Sequence, residues 1–78
     1  MKKALVFEAL GLDLPAYAVR LRNMIQSMYP GQLLHVIASD PHSEEFISSY
    51  CDYTGDQLLE SEAGCNGRRI FLTIKKQH

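Results

Sequence analysis

Between the breakers Tyr29-Pro30-Gly31 and Asp40-Pro41 lies a nearly unbroken apolar run, Leu33 to Ala38, interrupted only by His35. A run of that length, bounded by turn residues, reads as a strand with neighbours beside it and packing on at least one face. The flanking segments must supply both. Upstream, Ala4 to Ala9 is a short apolar run ended by Leu10-Gly11, which predicts a first strand. Pro15 opens a helix at a position where a missing N–H has no intrahelical partner to lose. Ala18, Leu21, Ile25 and Met28 recur behind it at helical spacing.

Downstream, Asp40-Pro41 starts a second helix, with Asp40 as its N-cap and Glu44 and Glu45 near its positive end. Phe46, Ile47 and Tyr50 supply its apolar face, and Gly55 breaks it. Gln57 to Glu62 and Arg68 to Lys75 read as two strands around the turn Gly64-Cys65-Asn66-Gly67. In the second of these, Ile70, Leu72 and Ile74 alternate with Arg69, Phe71, Thr73 and Lys75, the pattern of a half-buried strand.

The order βαβαββ predicts an α/β (α+β) fold, a two-layer sandwich with a four-stranded mixed sheet and both helices on one face. All 78 residues are expected to form one domain, 1–78. A hydrophobic content of 46% with 22% charged residues suits a globular chain. The formal net charge of −1 and the lack of a basic stripe with stacking aromatics argue against nucleic acid as a partner. No stretch approaches the roughly 20 apolar residues that cross a bilayer, so no membrane partner is expected. Glu8 cuts the N-terminal apolar run too early for a secretion signal, and a cytoplasmic location is expected. In a reducing compartment Cys51 and Cys65 are expected as two free thiols. His35, His42, Cys51 and Cys65 lack the close pairing of a structural zinc site, so no metal is expected. No phosphate loop, catalytic triad or paired-carboxylate signature points to a cofactor or a reaction.

Taken together, Leu10-Gly11-Leu12, Leu14-Pro15-Ala16-Tyr17, Pro30-Gly31, the Leu33–Ala38 strand, Ser39-Asp40-Pro41, Tyr50-Cys51 and Gly55-Asp56-Gln57-Leu58 form an ordered series. In order and spacing it resembles the TusA/SirA family of small sulfur-transfer proteins, from about Val6 to the end of the last strand. Members of that family open their first helix with Cys-Pro-x-Pro. The cysteine accepts a persulfide sulfur from a cysteine desulfurase and passes it on. A thiol there meets the positive end of a helix dipole, which favours its anionic form.

The resemblance places Leu14 at that cysteine position, and a leucine can neither ionise nor hold sulfur. Tyr17 stands where the second motif proline falls, and Asp13 brings a negative charge beside the site. The resemblance therefore implies a non-catalytic interaction module. Its partner would be a protein of a sulfur-transfer or redox pathway, bound through the surface around Asp13, Leu14, Pro15 and Tyr17. The alternative is a sulfurtransferase that uses Cys65 or Cys51. Cys51 sits near a helix C-terminus, which disfavours a thiolate, and Cys65 lies in a turn. A second alternative, an RNA-binding module, rests on fold analogy alone.

Overall fold

The computed structural model describes residues 4–64 and 69–77, and at Leu14 the backbone alone. The elements are β1 (Leu5–Ala9), α1 (Leu14–Ser27), β2 (Leu33–Ala38), α2 (Ser43–Thr54), β3 (Gln57–Ala63) and β4 (Ile70–Lys75). The strands make one mixed sheet in the order β1-β2-β4-β3. β1 runs parallel to β2, and the β2–β4 and β3–β4 pairs are antiparallel. The predicted element order, mixed sheet and two-helix layer are all present.

Strand alternation sorts the side chains onto two faces. Phe7 and Ala9, Leu34, Val36 and Ala38, and Leu72 and Ile74 are buried in one cluster. Tyr17, Leu21, Ile25 and Met28 of α1 and Ile47 and Cys51 of α2 close that cluster from the helix side. Leu21, Ile25, Leu34, Ile47, Leu72 and Ile74 are among those at most 1% exposed. Burial on that scale stabilises by roughly 1.5–3 kcal/mol per side chain. The opposite face is uncovered. Val6, Glu8, His35 and Phe71 are exposed on it, and His35 Nδ1 lies 3.1 Å from Thr73 Oγ1 across the β2–β4 rung.

Two boundaries differ from expectation. α2 begins at Ser43 rather than at Asp40-Pro41, and its N-cap position is His42. Pro41 fixes the chain in a tight turn, with Ser43 N–H donating to the Asp40 carbonyl at 3.1 Å and His42 N–H to Asp40 Oδ1 at 2.8 Å. The carboxylate thus serves the turn before the helix instead of the helix itself. The second difference concerns the last strand, whose described span begins at Ile70. Arg68 and most of the predicted turn, Cys65, Asn66 and Gly67, lie outside the described residues.

α2 stops at Gly55, whose φ of 83° lies in the left-handed region that glycine adopts without steric cost. Beyond it, a register shift between Leu58 and Glu60 bulges β3. The extra residue lets Leu58 pair beside Ile74 on the helix side while Glu60 and Glu62 pair beside Thr73 and Phe71 on the open side.

Candidate functional site at the start of the first helix

Because β1 and β2 are parallel, the chain leaves both strands at the same border of the sheet. Sheets with parallel strands gather their functional groups at that border. The two exits are tied together: Gly11 N–H donates to Ser39 Oγ at 3.0 Å, and Leu12 N–H turns back to the Ala9 carbonyl at 3.2 Å. Gly11 has a φ of 78°, which lets the loop turn at this point.

Asp13 follows as the N-cap of α1. Its Oδ1 accepts from Ala16 N–H at 3.1 Å, and its carbonyl accepts from Tyr17 N–H at 3.1 Å. Leu14 is therefore the first helical residue, and Pro15 the second. Helix starts attract anions through unbonded N–H groups. Here Pro15 has no N–H, and those of Ala16 and Tyr17 are already engaged by Asp13. The Asp13 carboxylate adds negative charge at the same place. The geometry that would favour an anion at position 14 is largely cancelled.

Tyr17 corrects the expectation drawn from the sequence. It is fully buried and is no part of a docking surface. The buried stripe thus begins at Tyr17, four residues before Leu21, rather than at the expected Ala18, which is half-buried. The Tyr17 ring lies 6.3 Å from Phe7 and, edge-on, 5.7 Å from Phe46, which in turn lies 6.4 Å from Tyr50. A chain of aromatic contacts thus joins β1, α1 and α2 beneath the loops. The Tyr17 and Ser43 hydroxyls are neighbours, but both are buried and neither attains full hydrogen-bond geometry. Burial raises the pKa of the Tyr17 phenol, an effect that Ser43 eases and Asp40 reinforces.

Asp13 and Pro15 are exposed. Glu44 and Glu45, also exposed, follow the second loop on the first turn of α2. No Lys or Arg occurs between Asn23 and Gly67, so the second loop and α2 carry carboxylates alone. His42, Glu45, Phe46 and Ser49 line an open concavity of about 390 Å³ on this side of α2. Sequence reasoning missed it, since Phe46 reads simply as part of an apolar helix face.

Cys51 lies elsewhere, in the core at 3% exposure. Burial first, and then the Asp56 and Asp52 carboxylates, push its thiol up to about 11. Asp56 is itself buried and fastens the chain's end: its Oδ1 accepts from Gln77 N–H at 3.0 Å and its Oδ2 from the Thr54 hydroxyl at 2.9 Å. Cys65 lies outside the described residues. Among the described residues no three His, Cys, Asp or Glu side chains gather as metal ligands, and no helix is long and apolar enough to cross a membrane. On the open sheet face the exposed ring of Phe71 sits between Ile37 and Glu62, with Glu8 beyond Ile37.

No family-wide sequence profile matches the chain. Individual relatives do. The sulfur carrier protein TusA of Allochromatium vinosum is 36% identical over 69 residues, covering 88% of each chain. The protein of the same name from Pseudomonas aeruginosa is 35% identical over 71 residues, covering 91% of this chain and 89% of its own. Among solved structures, a SirA-like protein of Desulfitobacterium hafniense superposes with a TM-score of 0.79 at 21% identity, covering 95% of this chain and 99% of that one. That likeness shows the shared fold.

Proposed function

This chain belongs to the TusA family of sulfur carriers, and we propose that it acts there as a docking module that binds a protein partner without carrying sulfur at the start of α1. One observation carries the reading. The first helical residue after the Asp13 cap is Leu14, whose side chain has no atom able to ionise, hold a persulfide or attack one. The surroundings support it, because the N–H groups of Ala16 and Tyr17 are engaged by Asp13 and the Asp13 carboxylate beside Leu14 is negative. The docking surface is formed by Asp13, Leu14 and Pro15 with the neighbouring turn of α2, and Tyr17 stiffens it from below. The partner belongs to a sulfur-transfer or redox pathway, and the location is cytoplasmic.

The rival reading, a sulfur carrier that uses a displaced thiol, is favoured by the names of the relatives. Cys51 is ill suited to it, being buried with a thiol held near 11. That leaves Cys65 as the thiol to test.

The deciding experiment incubates the chain with a cysteine desulfurase and isotopically labelled cysteine, followed by intact-mass and peptide mass spectrometry. The expected result is no sulfur gained at any position. Sulfur loaded on Cys65 or Cys51 and passed on to an acceptor refutes the docking reading. As a positive control, Leu14→Cys in a chain lacking both natural thiols should load weakly. Asp13→Asn added to that variant should load better, since asparagine keeps the helix cap and removes the opposing charge.

A further inference from the structure

The concavity on α2 has the makings of a receptor for a cation. Its lining combines a carboxylate (Glu45), an aromatic ring (Phe46), a hydroxyl (Ser49) and an imidazole (His42). A planar guanidinium satisfies such a set: it donates to the carboxylate and the hydroxyl while lying against the ring. Phe46 is held for this role, with Tyr17 edge-on at 5.7 Å on one side and Tyr50 at 6.4 Å on the other, and it remains partly exposed.

The segment that lines it supplies no Lys or Arg of its own. Between Asn23 and Gly67 there is no Lys or Arg, and the sequence around the concavity carries Asp40, Glu44 and Glu45. Arg22 of α1 is felt by Tyr50, one turn further along the helix from Phe46. The surrounding field draws positive charge toward the concavity from outside.

We infer that this concavity seats an arginine side chain of the protein partner, which makes the partner's contact surface basic. The inference rests on the docking reading and specifies the chemistry of what docks. It also fixes where the contact is centred, on Glu45 and Phe46 beside the helix start.

The test follows backbone amide shifts of the isotope-labelled full chain during titration with a capped heptapeptide of alternating glycine and arginine at low salt. A matched peptide carries neutral citrulline in place of arginine. The expected result is saturable shifts centred on His42, Glu45, Phe46 and Ser49 with the arginine peptide and none with citrulline. Glu45→Gln should weaken binding by about three-fold or more, the scale of one charge-assisted contact. Glu44→Gln, which alters the net charge identically, should weaken it clearly less. Equal losses in the two variants, shifts spread evenly over the acidic residues, or binding of the citrulline peptide would each overturn the inference. Sulfur uptake is read separately by mass, so a chain that loads sulfur yet binds the peptide refutes the docking reading alone.

Discussion

Alkylation of Cys51 by iodoacetamide, in a Cys65→Ser chain in native buffer at pH 8, should run at least about 100-fold slower than in the same chain unfolded by denaturant. The figure comes from ionisation alone. A thiol at its ordinary 9.0 is about one-tenth thiolate at pH 8, and one pushed up to about 11 is about one-thousandth thiolate. The 3% exposure of Cys51 adds a steric barrier, so reagent reaches the sulfur mainly through transient opening of the fold. Intact-mass spectrometry at timed quenches reads the adduct directly, and a denaturant series shows the rate rising along the unfolding curve. A native rate within ten-fold of the unfolded one would mean that Cys51 is neither buried nor suppressed. The case against its sulfur-carrying role would then collapse.

The same shift makes stability depend on pH. The folded chain keeps the Cys51 proton that the unfolded chain releases, so this contribution is complete below about 9 and fades as pH climbs toward about 11. Its full size is roughly 3 kcal/mol at most, and urea midpoints measured from pH 7 to 10.5 should fall less steeply in Cys51→Ala. Tyr17→Phe should leave urea stability unchanged or slightly raised, because the lost hydroxyl is buried and poorly partnered; Tyr17→Ala should cost about 3–5 kcal/mol through the cavity it opens. Asp13→Ala should lower stability by about 1 kcal/mol, read as a melting point about 4–8 °C lower, with Asp13→Asn restoring most of it.

Most of the fold could be read from local chemistry. The Leu33–Ala38 run lies between two proline breakers, and β2 occupies the same six residues. The alternation of Ile70, Leu72 and Ile74 with Phe71 and Thr73 named the helix-facing side of β4, and Leu72 and Ile74 are indeed buried. The bulge in β3 was not legible, since nothing in Leu58-Leu59-Glu60 announces which residue drops out of register.

The site was legible in part. Asp13 and Pro15 frame the start of α1 as their chemistry dictates, capping and opening it. Tyr17 falls inside a motif whose neighbours Asp13 and Pro15 are exposed, yet its spacing with Leu21 and Ile25 turns it inward. The second loop escaped because its bonds are tertiary: Ser39 meets Gly11 across 28 residues, a pairing that no local pattern encodes. The concavity escaped because its lining, His42, Glu45, Phe46 and Ser49, mixes polar and apolar residues that no single pattern groups.

The irregularity at Leu59 bears on how such a small protein survives crowding. A straight rim would offer its bare amides and carbonyls as a ready mould for another molecule's strand. At β3 the stagger throws that row out of step, and Glu60 and Glu62 stand close by to repel an identical neighbour. Strand addition is thereby disfavoured along this one margin of the sheet.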